Sequence, residues 1–340
     1  MTPIQHTGLA VTTLMFKRLA IALMATACAA AHAQTPAAPF PSRTITMIVP
    51  FAAGGSSDTR ARQIAGKMST ILGQPVIVEN KAGAGGNIGT DAIAKANPDG
   101  HVIGMGNFAP LTVNKTLFPK LPFDPATDLT PIALIEKGPL VLLVSSEKSP
   151  FKSYGDLVTY GKANPGKLSY ASAGAGGAFH LAGEMMEDAV GLKMLHVPYK
   201  GGGPATTDML AGNVSFMFDM IPASLPYARA NPPKARALVV ANDKRLPQYP
   251  DVPTFAELGV PGMEMSNWFG IVAPKGTPTA VVAKLNDAVN RALKDPEIAE
   301  RITSQGNVIG GGSPEAFATF IAAERARWTK VILDKKIRPD

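Results

Sequence analysis

Short apolar runs alternate with amphipathic stretches along most of this chain. Residues 45–49, 76–78, 102–105, 132–135, 140–144, 168–171, 214–218 and 237–240 read as strands. Helical spacing marks 59–72, 88–96, 154–164, 179–189, 204–211, 279–293, 296–305 and 314–332. In the first helix Ile64, Met68 and Ile71 follow i, i+4, i+7 and share one face. The last three helices are charged and amphipathic, with Pro278, Pro296 and Pro314 at their starts, where a missing N–H is harmless. The alternation predicts an α/β protein with largely parallel sheets.

Two extended stretches stand out as crossings between domains. One runs from 132 to 144, broken at Lys137-Gly138-Pro139; the other runs from 263 to 273 and holds Trp268-Phe269. Two crossings put both termini in one domain, 34–138 plus 264–340, and insert a second, 139–263. A ligand cleft is then expected between the domains.

Ahead of the first strand, Lys17-Arg18 precede an uncharged apolar run, 19–30, and Ala31-His32-Ala33 sets small residues at the −3 and −1 positions. This reads as a secretory signal with cleavage after Ala33, which places the mature protein outside the cytoplasm. The apolar run is shorter than the roughly 20 residues that span a bilayer, and no later segment reaches that length. Met15 competes with Met1 as the translation start. Cys28 offers a lipoprotein alternative, but Ala25-Thr26-Ala27 before it lacks the usual leucine.

Removal of the signal changes the chemistry available. Cys28 is the only cysteine, so the mature chain has no thiol for a disulfide, a nucleophile or a zinc site. Losing Lys17 and Arg18 leaves 31 basic and 26 acidic residues, a net charge of +5. No basic block accompanies it and aromatics are sparse, which argues against nucleic acid and for encounter with small anions.

Glycines open the helices where ligands bind. Ile48-Val49-Pro50-Phe51-Ala52-Ala53-Gly54-Gly55 leads from a strand through a turn, with Ser56, Ser57 or Asp58 placed to cap a helix from about Thr59. An open helix start turns unpaired N–H groups outward and makes an anion site. A second loop, Glu79-Asn80-Lys81-Ala82-Gly83-Ala84-Gly85-Gly86-Asn87-Ile88-Gly89, is one step from a dinucleotide fingerprint. The next strand, however, ends on Asn107 rather than on the ribose-binding acid, and a tight turn explains the glycines equally well. The third loop, Tyr170-Ala171-Ser172-Ala173-Gly174-Ala175-Gly176-Gly177, again joins a strand to a helix, now in the inserted domain. Loops of this kind from two domains could hold one anion between them.

His180 and Glu184, four apart, have the spacing of a metal pair, or else line the cleft and bond locally. Tyr199 and Lys200, in His196-Val197-Pro198-Tyr199-Lys200-Gly201, read either as cleft residues or as a surface turn. Asp219 follows a strand, where ligand contacts gather, or caps a helix from Pro222. Neither Ser56 nor Ser172 lies in G-x-S-x-G, and no catalyst is evident.

These motifs, in order along almost the whole mature chain, resemble the periplasmic solute receptors of tripartite tricarboxylate transporters, the Bug proteins. The likeness is carried by Ile48-Val49-Pro50-Phe51 with Gly54-Gly55 and Asp58, Glu79-Asn80-Lys81 with Gly83 to Gly86, and Pro98-Asp99-Gly100. Tyr170 to Gly177 with His180-Leu181 and Glu184, His196 to Gly201, and Trp268-Phe269-Gly270 complete it. It implies a two-domain periplasmic-binding-protein fold, type II-like, hinged by the two crossings. It also implies a ligand carboxylate held by backbone amides and ordered waters, with no cofactor and no catalysis. The ligand residues it nominates are Phe51, Gly54, Gly55, Ser56 and Asp58 on one side. Across the cleft it nominates Ser172, Ala173, Gly174, Gly177 and His180, with Tyr199, Lys200 and Asp219 as weaker candidates. Ala53, and His101-Val102 in place of an aromatic strand start, depart from the family pattern. The implied partners are a small organic carboxylate and membrane permease subunits; a sensor protein is the alternative partner, and a secreted hydrolase the alternative function.

Overall fold

The computed structural model describes residues 39–118 and 120–339; the signal sequence and its cleavage site at Ala33 lie outside them. In chain order the elements are β1 Ile45–Val49, α1 Ser56–Leu72, β2 Val76–Asn80, α2 Asn87–Ala94, β3 Val102–Asn107, α3 Asn114–Leu117 and β4 Leu129–Ser145. There follow α4 Tyr154–Ala163, β5 Leu168–Ser172, α5 Ala178–Val190, β6 Met194–Pro198, α6 Gly202–Ala211, β7 Phe216–Met220 and α7 Ile221–Ala228. The chain ends with β8 Ala235–Ala241, β9 Ser266–Pro274, α8 Thr279–Lys294, α9 Pro296–Thr303, β10 Val308–Gly311 and α10 Pro314–Lys335. A 3-10 turn, Ala84–Gly86, precedes α2, and a π-helical turn, Ala109–Val113, precedes α3.

The strands are joined in the order β2-β1-β3-β9-β4-β7-β5-β6, with β8 and β10 also on β4. β4 belongs to two halves of this sheet. Its residues from Leu129 to Pro139 pair with β9, and those from Leu140 onward pair with β7 and β8. The expected break at Lys137-Gly138-Pro139 is therefore a change of partners within one continuous strand. Gly138 is needed there, because a Cβ would lie 1.9 Å from Asn307 Oδ1.

The sheet is mixed rather than largely parallel. β1 runs parallel to β2 and β3, and β5 to β6 and β7, but each pairing made by β4 and β9 is antiparallel. The reason lies in the crossings: β4 and β9 carry the chain between the two halves in opposite directions and become neighbours. β9, read in the sequence as a crossing, is a buried strand whose side chains alternate between faces. Trp268 packs edge-on to Phe108 and Phe317, and Phe108 meets Trp328 of α10 at 5.1 Å.

α1 starts three residues earlier than expected. Gly55, in an extended conformation, is its N-cap, and Ser56, Ser57 and Asp58 form the first turn instead of capping it. Ile64 and Met68 are fully buried beneath β1, as their spacing predicts, while Ile71 is half-buried. In α8, Val282, Leu285, Ala288, Val289 and Ala292 make the buried stripe.

Candidate functional site

Three helix starts meet at one cavity. Gly55, Ser56 and Ser57 reach it from α1, Gly177, Ala178 and Phe179 from α5, and Gly202 from α6. The N-cap residues are Gly55, Gly177 and Gly201, and none offers a side chain to the first amides of its helix. Each start therefore keeps unpaired N–H groups and the positive end of a helix dipole. A Gly-Gly pair produces this in each case: the chain comes close to its neighbours and no Ser, Asp or Asn is present to close the cap.

The remaining wall comes from Phe51 and Ala52 after β1, Asn107 at the end of β3 with Phe108 and Ala109 beyond it, Ala173 after β5, and Asn267 and Phe269 of β9. None of these residues carries a charge. The cavity has a volume of about 40 Å³. The polar groups of the wall are the helix-start amides and the neutral side chains of Ser56, Ser57, Asn107 and Asn267.

The two sides of the cleft touch. Ala52 N–H donates to Lys200 O at 2.8 Å. A Cβ placed on Gly55 would lie 3.2 Å from Gly202 N, and one on Gly203 only 2.5 Å from Ala53 O. Nearby, Gly85 approaches Ala175 O so closely that a Cβ would fall 2.5 Å from it. The second glycine loop is thus used for close approach: Gly85 faces Ala175 and Gly86 lies on the Phe51 ring. It is not among the residues that line the cavity.

Of the residues nominated from the sequence, the structure brings Phe51, Gly55, Ser56, Ala173 and Gly177 to the cavity wall. The others stand behind or beside it. The Asp58 carboxylate accepts from Gly54 N–H at 3.1 Å, from Asn80 at 3.0 Å and from Arg62. Burial raises its pKa, but the hydrogen bonds from Arg62, Gly54 and Asn80 together hold it below the ordinary carboxylate value. Gly54 and Asp58 thus shape the turn before α1.

Ser172 is buried at the end of β5. Its Oγ lies 2.6 Å from His196 Nε2 and accepts from Gly174 N–H at 3.1 Å. His180 Nδ1 accepts from Gly176 N–H at 3.1 Å, and its ring stacks on His196 at 4.1 Å. Ser172, Gly174 and His180 therefore set the shape of the loop whose other residues face the cavity. Tyr199 O–H donates to Asp208 at 2.5 Å, away from the wall, and Lys200 contributes its carbonyl to Ala52. Asp219 is fully buried on β7, accepting from Met220 N–H at 2.7 Å; burial pushes its carboxyl up to about 7.

His180 Nε2 and Glu184 Oε1 are 3.7 Å apart, and that oxygen also accepts from Tyr170 O–H. Among the described residues no group of three His, Cys, Asp or Glu side chains could hold a metal ion. The metal reading of that pair is set aside.

Among the wall residues that sequence reasoning missed are Asn107, Phe179, Gly202, Asn267 and Phe269. Gly202 had a signal, the third Gly-Gly pair at a helix start. Asn107 had a weaker one, a polar residue at the end of a buried strand.

Residues 60–337 match the tripartite tricarboxylate transporter family receptor model. The chain belongs to this family. It is 39% identical over 319 residues to Protein BugT of Bordetella pertussis, covering 94% of this chain and 97% of BugT. Among solved structures, Rpa4515 of R. palustris with adipate superposes with a TM-score of 0.84 at 36% identity, covering 88% of this chain and all of that one. MatC of Rhodopseudomonas palustris with bound malate gives 0.81 at 37% identity, covering 86% of this chain and all of its own. The receptor therefore has the α/β two-domain periplasmic-binding-protein fold, and it is a periplasmic solute-binding protein of the tripartite tricarboxylate transporter family.

Proposed function

We propose that this receptor captures a small carboxylate-bearing solute by closing its cleft and delivers it to permease subunits in the membrane. The observation that carries the reading is the meeting of three glycine-capped helix starts at one uncharged cavity. Each offers free amides to an anion, and their dipoles add there. The relatives bound to adipate and malate support the same class of ligand. On this reading Phe51, Gly55, Ser56, Ala173 and Gly177 contact the ligand or its waters, and Gly54, Asp58, Ser172, Gly174 and His180 hold those loops in shape. Tyr199 and Asp219 act further back, through the α6 side of the cleft.

The proposed lobes are 34–138 with 264–340, and 139–263, a division supported by the change of partners along β4 after Pro139. An anion that bridges both sides favours the closed form by its differential affinity, and the closed form is what the permease reads. Secretion with cleavage after Ala33 brings the mature chain to the periplasm. The test is a thermal-shift screen of refolded, ligand-stripped protein against carboxylates and their amides. A ligand at 100 times its Kd adds about 2.7 kcal/mol. Stabilisation by acids and not by their amides is expected; stabilisation by neutral compounds alone would remove the anion grip.

A further inference from the structure

We propose that the cavity selects a monocarboxylate with an apolar body that carries a hydroxyl for Asn107 to bind. This rests on the carboxylate reading above and assigns the other end of the ligand.

Asn107 ends β3 and is 3% exposed. Its Nδ2 donates to Ser57 Oγ at 3.0 Å, while its Oδ1 is buried with no hydrogen-bond partner. It lies on the cavity wall. A buried amide oxygen without a partner is costly, and a ligand group that satisfies it gains that cost back as affinity. The other amide on the wall is already engaged, since Asn267 Oδ1 accepts from Trp268 N–H at 2.9 Å.

The rest of the wall is mostly carbon, with Phe51, Phe179 and Phe269 among its residues. Once the helix-start amides hold one carboxylate, a second would meet phenyl rings, the neutral Asn107, Asn267, Ser56 and Ser57 side chains, and no cation. An ionised carboxylate has about four acceptor positions to satisfy, and burying it without partners is strongly unfavourable. A hydroxyl suits Asn107 in either orientation of its amide. It donates to Oδ1 as the side chain stands, or accepts from Nδ2 if the amide turns over and Ser57 donates to Oδ1.

Isothermal titration of the ligand-stripped mature protein decides the question. The probes are benzoate, the three hydroxybenzoates, the three phthalates, adipate and malate. At least one hydroxybenzoate is expected to bind about tenfold tighter than benzoate and than the phthalate of the same substitution pattern. Asn107→Ala should bring the ratio of hydroxybenzoate to benzoate affinity down to about one. If Asn107→Ala does not fold, Asn107→Ser is read in the same way, and the wild-type panel alone still tests the charge preference. Phthalates, adipate or malate binding as tightly as the best monocarboxylate would overturn this inference and leave the carboxylate reading in place. So would a hydroxyl preference that survives loss of the Asn107 amide. Binding by none of these acids would also overturn this inference, while the screen of acids against their amides decides the carboxylate reading separately.

Discussion

The backbone N–H of Ala52 donates to the carbonyl oxygen of Lys200 at 2.8 Å, tying the turn after β1 to the start of α6 across the cleft. Main-chain groups make this contact because the facing residues, Gly54-Gly55 and Gly201 to Gly203, have no side chains to hold the walls apart. The closed arrangement thus depends on glycine at particular positions.

Gly203→Ala tests that dependence. The new Cβ would lie 2.5 Å from Ala53 O and 3.3 Å from Gly54 C, both on the opposite wall. Within α6 itself alanine is the better helix former. The ligand-free variant should therefore melt at or slightly above the wild-type temperature, while ligand affinity falls by at least about tenfold because closure must displace backbone. Thermal melts paired with titration check both halves. Equal affinity would mean that the ligand-bound cleft is wider than this one.

Arg60 and Glu136 form a buried ion pair, 1% and 0% exposed, joining α1 to β4 next to the crossing. Arg60 also donates to Gln63 and Gln305, and Asn307 donates to Glu136. Removing one partner strands the other charge, so Arg60→Met should cost about 3–5 kcal/mol. The double variant Arg60→Met/Glu136→Leu should recover much of that loss. Urea denaturation of the three proteins provides the comparison, and a double variant less stable than the single one would contradict it.

Ser172→Ala removes the acceptor for Gly174 N–H and the group bonded to His196. A buried donor left without its acceptor costs about 1–3 kcal/mol. Because Gly177 and Ala173 of the same loop face the cavity, ligand affinity should fall as well. A variant that loses stability but binds with wild-type affinity would confine Ser172 to a purely structural role.

Asp219 makes stability depend on pH. Its folded pKa, pushed to about 7 by burial, lies above the ordinary value of 3.8. The folded protein keeps this proton across that window while the unfolded chain has lost it. Stability from this group is therefore greatest below pH 4, declines as pH rises, and is fully lost above about pH 7. Over roughly three pH units the ceiling is on the order of 4 kcal/mol. Asp219→Asn cannot titrate, so its advantage over wild type should widen between pH 4.5 and 7.5 in urea melts. A constant difference would show that Asp219 titrates near its ordinary value.

Much of the fold was legible one residue type at a time. β1 was read to the residue because Ile45, Met47, Ile48 and Val49 are apolar, Thr46 between them is β-branched, and the run stops at Pro50. The C-terminal helices were clear from their one-sided apolar stripes. β6, β9 and β10 were harder. β6 is half exposed, β10 is short and glycine-rich, and β9 is a strand because β3 and β4 flank it rather than because of its own pattern.

The sequence by itself determined the α/β alternation, the Gly-Gly helix starts and the family likeness, since each rests on neighbouring residues and local backbone preference. Only the tertiary structure decided that three of those starts face one cavity, that Asp58 turns back to Gly54, and that Ser172 and His180 stand behind the loop they support. It also brought Asn107 beside Ser57, fifty positions away. Such pairings depend on how β1, β3 and β9 lie side by side, and strand order is fixed by the packing of the whole sheet rather than by any segment within it.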